Sequence, residues 1–87
     1  MARVEQEILI RNKLGLHARP AALFVQTASK FDSSVHIKKD AEVVDAKSIM
    51  NILSLGIETG TTVFLIAEGD DAEQAIEELR KILEADE

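Results

Sequence analysis

Gly15-Leu16-His17-Ala18-Arg19-Pro20 sets a histidine at the point where a strand-like segment turns into a helix. Pro20 suits a first helical turn, in which backbone N–H groups have no carbonyl partner, and it would break a helix interior. From there Pro20, Leu23, Phe24, Thr27, Ala28 and Phe31 recur at the spacing of one buried helical face. His17 thus falls near the cap, beside unpaired N–H donors and the positive end of the helix dipole. That is an anion site. A phosphoryl group on the imidazole would meet the first-turn donors, at Ala18 and Arg19, and the Arg19 guanidinium could add a charge-assisted bond to the same oxygens. Gly15 lets the backbone turn freely before the histidine. A helix cap that merely contains a histidine would fit the hexapeptide equally well.

The remaining elements follow from periodicity on either side of this junction. Val4, Ile8 and Ile10 alternate with Glu5, Glu7 and Leu9, a strand with one buried face that Leu9 leaves imperfect. Arg11-Asn12-Lys13-Leu14 is a loop into the first helix, which should end near Phe31 with Lys30 in its last turn, where a cation complements the dipole. Val35 and Ile37 alternate with His36 and Lys38, and after Lys39-Asp40-Ala41 the chain resumes as Glu42-Val43-Val44-Asp45, a hairpin. A tight turn would prefer glycine where Ala41 stands, since positive φ is costly with a Cβ, so a looser or shifted turn is expected. Ser48 can cap a short helix through Ile49, Met50, Ile52, Leu53 and Leu55, and Gly56 can end it in a left-handed conformation. Thr61-Thr62-Val63-Phe64-Leu65-Ile66-Ala67 is β-branched and apolar, as a central strand is. Asp70 and Glu73 then form an acidic variant of the capping box, opening a helix whose face is Ala72, Ala75, Ile76, Leu79, Ile82 and Leu83. A short sheet with one apolar face, covered by three amphipathic helices, is a two-layer α+β domain over residues 1–87.

Composition narrows the function. Aromatic residues are only 3% of the 87, so the core must be aliphatic, and a domain of this size buries about 60–65% of the unfolded chain's surface. A net charge of −6 with dispersed Lys and Arg argues against a nucleic-acid partner, which needs a basic stripe. The acids of the C-terminal stretch, Glu73, Glu77, Glu78, Glu84, Asp86 and Glu87, read as a solvated helix face and tail. Without cysteine there is no disulfide or zinc-thiolate site, which suits a reducing cytosol. No apolar run approaches membrane-spanning length and the N-terminus has no signal-like core, so a cytoplasmic protein without membrane insertion is expected. His36 has no neighbouring ligand residues at metal spacing and is expected to be an ordinary exposed histidine; no metal or other cofactor is expected.

The hexapeptide resembles the active-site motif of HPr, the histidine-containing phosphocarrier of the bacterial phosphoenolpyruvate:sugar phosphotransferase system. Val25-Gln26-Thr27-Ala28-Ser29-Lys30 and the block Lys47-Ser48-Ile49-Met50 with Leu53-Ser54-Leu55-Gly56 also read as sequence of that family, so the likeness spans nearly the whole chain. It implies an open-faced sandwich, a four-stranded antiparallel sheet covered on one face by three helices. It also implies that His17 is phosphorylated, on Nδ1, by phosphorylated enzyme I and discharged to a histidine of an enzyme IIA domain. In some bacteria the serine corresponding to Ser48 is phosphorylated by a regulatory kinase; capping alone also explains a serine there, and Asn51 departs from the glycine common in related sequences. Leu16, Ile49, Met50 and Leu53 are candidates for an apolar docking patch around His17, with core packing the competing role for most of the second helix. The expected state is a monomer.

A neutral imidazole attacks phosphorus without a separate strong base, and the chain has no Gly-rich phosphate loop or Ser-His-Asp pattern. A carrier used by enzymes, with no turnover of its own, is therefore the expectation. Two alternatives stay open. One is the nitrogen-related branch of the same chemistry, which serves regulation; the other is a small hydrolase such as an acylphosphatase, or a regulatory binding module.

Overall fold

The computed structural model describes residues 2–11, 15 and 18–85. Among these the elements are β1 (Ala2–Leu9), α1 (Ala18–Ala28), β2 (Ser34–Lys39), β3 (Glu42–Asp45), α2 (Ile49–Leu55), β4 (Thr62–Gly69) and α3 (Ala72–Glu84). The strands form one sheet in the order β1-β4-β2-β3. Every neighbouring pair is antiparallel. The sheet with its helices on one face is the open-faced α+β sandwich that the sequence implies.

Strand alternation decides which residues meet the helices. Val63, Leu65 and Ala67 of β4 are fully buried, and register sets Ile8 opposite Val63, Val35 opposite Ala67 and Ile37 opposite Leu65. Onto this surface pack Ala21, Phe24 and Ala28 of α1, Ile52 and Leu55 of α2, and Ala72, Ala75, Ile76, Leu79 and Leu83 of α3. Phe24 has no exposed surface, and burying such a side chain stabilises the fold by roughly 1.5–3 kcal/mol. On the exposed side of α3, Arg80 joins Glu77 and Glu84, each at 2.7 Å.

Four local expectations need correction. α1 ends at Ala28, short of Phe31: the N–H groups of Lys30 and Phe31 bond to the carbonyls of Thr27 and Ala28, a tightened turn that still buries Phe31 and leaves Lys30 beyond the helix. Leu23, expected on the buried face of α1, is 52% exposed. The face is centred on Phe24 with Ala21 and Ala28, and Leu23 lies about 100° around the helix from Phe24. The β2–β3 turn is tight, with Lys39 opposite Glu42. Asp40 takes the positive φ, 56°, so Ala41 need not, and a short acidic side chain tolerates that region. Finally, Asp71, and not Asp70, precedes α3, and its side chain makes no cap bond to the helix.

The Asp71 carboxylate instead turns across the molecule to the segment after α1. It accepts hydrogen bonds from the N–H of Asp32 at 2.9 Å, the N–H of Ser33 at 3.0 Å and the Ser33 hydroxyl. Ser33 is 2% exposed and lies against Gly69, where an added Cβ would come within 2.8 Å of Ser33 Cα. This ties the end of α1 to the β4–α3 junction. The Ser33 hydroxyl foremost, and then the Asp32 N–H, hold the Asp71 carboxyl below the ordinary aspartate range. A carboxyl lowered on folding adds stability that is present above its unfolded pKa and is lost as pH falls through the folded value. Asp71→Asn should therefore lower the melting temperature at neutral pH, with the gap to wild type narrowing below about pH 4, as thermal melts at several pH values would show.

Candidate functional site

The chain before α1 is positioned by Gly15. Its φ is 70°, and a Cβ there would stand 2.5 Å from the Ile57 carbonyl oxygen and 2.8 Å from Glu58 Cα. Glycine is thus required twice, once by the left-handed backbone and once by the close approach of another strand of chain. The segment it touches is itself fixed: Ile10 and Thr61 share a hydrogen bond at 2.9 Å, as do Gly60 and Ile10. His17 and Leu16 lie outside the described residues. The backbone resumes at Ala18 as the first residue of α1, with Arg19 and Pro20 following, so Pro20 stands in the first turn as its ring requires. Ala18 and Arg19 are exposed, and Arg19 has no ion pair among the described residues.

The second block folds into α2, which packs against α1 and β3. Ser48 is its cap: φ is −115°, ψ is 114°, and the hydroxyl accepts the Asn51 N–H at 3.3 Å. Gly56 ends the helix at φ 66°, with its N–H on the Leu53 carbonyl. Two lysines brace this helix from outside. Lys39 Nζ donates to the carbonyls of Leu55 and Gly56 at 3.3 and 2.9 Å, where a cation suits the helix C-terminus. Lys47 Nζ donates to the Phe31 carbonyl at 2.9 Å, linking the start of α2 to the chain after α1.

The docking candidates divide by exposure. Met50 is 72% exposed and Leu53 41%, while Ile49 is half-buried against the core. Ile52 and Leu55 are inside. Leu23 of α1 joins the exposed apolar residues, although sequence reasoning assigned it to the core. Only its place at the edge of the apolar stripe could have signalled this. A polarizable, flexible methionine left in water on such a surface is adaptable to more than one partner. Ser48 is only half-buried, so its hydroxyl combines capping with some access to solvent.

Comparison with known proteins sets this arrangement in context. The family model described as the PTS HPr component phosphorylation site matches residues 4–85. The HPr-like protein Crh of Bacillus subtilis is 54% identical over 76 residues, covering 87% of this chain and 89% of Crh. The crystal structure of the phosphocarrier protein HPr from Bacillus anthracis superposes with a TM-score of 0.92 at 46% identity, covering 97% of this chain and all of that one. A crystal structure of Bacillus subtilis Crh, a catabolite-repression protein solved as a domain-swapped dimer, superposes at 0.75 with 50% identity, covering 94% and 97% of the two chains.

Gly15→Ala tests the anchoring of the site. It should destabilise the chain by at least about 1–2 kcal/mol, the cost of a left-handed alanine alone, read as a lowered denaturant midpoint.

Proposed function

The chain belongs to the PTS HPr family, and on that premise we propose that it is a phosphocarrier of the phosphotransferase system, acting in the cytoplasm as one domain that is monomeric at low concentration. His17 takes the phosphoryl group from phosphorylated enzyme I and gives it to a histidine of an enzyme IIA domain. In each step a ring nitrogen, Nδ1 for His17, attacks phosphorus with its lone pair. A new nitrogen–phosphorus bond forms as the donor's breaks, so the group passes on without net hydrolysis. Arg19 and the first-turn N–H groups at Ala18 and Arg19 hold the phosphoryl oxygens, supplying positive charge where negative charge is being moved. No resident cofactor takes part. Leu16, Ile49, Met50 and Leu53 form the apolar contact with partners, and Leu23 is a further exposed apolar residue on α1.

The observation that carries this reading is the match to a phosphorylation-site family over residues 4–85, with Gly15 seated on Ile57–Glu58 and Ala18-Arg19-Pro20 opening α1. Likeness to Crh, described in a solved structure as a catabolite-repression protein, favours a second, regulatory role, for which the family resemblance offers phosphorylation of Ser48. A phosphate there would suit the start of α2 but would place nearly two negative charges beside Ile49 and Met50, disturbing apolar docking. A third possibility within the same chemistry is service in the nitrogen-related branch.

Intact-mass measurement after incubation with enzyme I, magnesium and phosphoenolpyruvate tests the site. Wild type should gain one acid-labile phosphoryl group and His17→Ala none. Wild type left unmodified by active enzyme I from both the sugar and nitrogen branches would overturn the carrier reading.

A further inference from the structure

The helices cover one face of the sheet, and register arranges the other face in bands. Glu5 of β1, Ile66 of β4 and His36 of β2 form one row; Glu7, Phe64 and Lys38 form the next. In these two rows β1 presents acids, β4 an apolar stripe and β2 a histidine and a lysine; Glu5 also lies 3.9 Å from Arg3 of its own strand. Phe64 and Ile66 are half-buried although no helix lies over them, and Glu5 and Glu7 are exposed. β3 continues the face outward with Asp45 beside His36 and Val43 beside Lys38, and Val43 is 51% exposed. β1 and β2 flank β4, so they stand about 9–10 Å apart, with Phe64 between Glu7 and Lys38 of the same chain. Among the described residues Glu7, His36 and Lys38 have no ion-pair partner.

We propose that this bare face binds the same face of a second copy about a two-fold axis running along β4. That rotation exchanges the two sides of the apolar stripe and keeps every row at its own height. Glu7 then meets Lys38 of the second copy, Glu5 meets its His36, and Phe64 and Ile66 meet their own equivalents. Each contact occurs twice, as an isologous interface requires. The two sheets pack as an aligned sandwich, about 10 Å apart. An axis across the strands would set acids over acids, so the charge bands select the orientation as well as the partner. Glu68 faces its own equivalent at one end, where Arg3 shares its row and supplies counter-charge. The patch is small, in the class burying less than about 1,200 Å², so the pairing is weak and reversible. The helical face with Met50 and Leu53 is left free, so association and partner docking are compatible.

Sedimentation equilibrium of the full chain, from micromolar to millimolar and at low and high salt, reads this pairing. Wild type should associate to a dimer, more weakly at high salt. Lys38→Glu and Glu7→Lys, at surface positions whose folding circular dichroism checks, should each weaken association by about tenfold. An equimolar mixture of the two variants should recover it, since the rotation then sets the added acid against the added base and restores the original pair at the other contact. Wild type that stays monomeric at millimolar concentration and low salt overturns the proposal. So does association that survives both single reversals, which would place the contact on another surface or in strand exchange, and so does a mixture no tighter than either variant alone.

Discussion

The double ladder of β4 is the constraint on which the rest of the molecule depends. It pairs with β1 on one side and β2 on the other, and its inward residues Val63, Leu65 and Ala67 have no exposed surface. Strands distant in sequence are thereby held side by side, and the helices have one apolar surface to cover. The loop that feeds β4 also carries Ile57 and Glu58, against which Gly15 packs. Gly15 and the entry to the central strand are therefore coupled through a close backbone approach. Gly15 cannot shift without disturbing the entry to the central strand.

This coupling suits a group carrier. Such a protein must present one nucleophile and a set of N–H donors in fixed geometry, while the surrounding surface accommodates more than one partner. Rigidity comes from the Gly15 contact, the Ser48 cap and the lysine braces at Lys39 and Lys47; adaptability comes from exposed Met50, Leu53 and Leu23. The exposed side chains lie on the helical layer, and the charge bands of Glu7 and Lys38 lie on the opposite face of the sheet. The two surfaces can evolve and act separately because the buried core stands between them.

Features fixed by local chemistry were legible in the sequence. Ser48 and Gly56 bound α2 because an oxygen acceptor and a left-handed residue are needed at those ends, and alternation located the strands because the pleat has a period of two. Antiparallel pairing came from family resemblance, and the strand order β1-β4-β2-β3 came from the structure, since periodicity carries no information on neighbours. What escaped depended on distant or competing contacts. Asp70 read as the start of the last helix, yet Asp71 precedes it and turns its carboxylate to Asp32 and Ser33, nearly forty positions earlier, and nothing near residue 71 encodes that. Leu23 and Phe24 both fit a helical stripe, and only the position of the sheet decides which is buried. Asp40 absorbs the strain that was assigned to Ala41, because either residue of a two-residue turn can supply a positive φ. Of the candidate site, Arg19 and Pro20 open α1 and the second block forms α2, the elements expected of them, while His17 and Leu16 fall outside the described residues.

The central claim is carriage, the passage of a phosphoryl group through this chain and not merely onto it. Rapid-quench sampling of a mixture of labelled phosphoenolpyruvate, enzyme I, this protein and an enzyme IIA domain tests it most directly. The account predicts that label appears on this chain, passes through a maximum and then accumulates on the IIA domain, which stays unlabelled when this chain is left out. Label that reaches the IIA domain equally fast without this chain, or that stays on this chain in the presence of IIA domains from both the sugar and nitrogen branches, would contradict it.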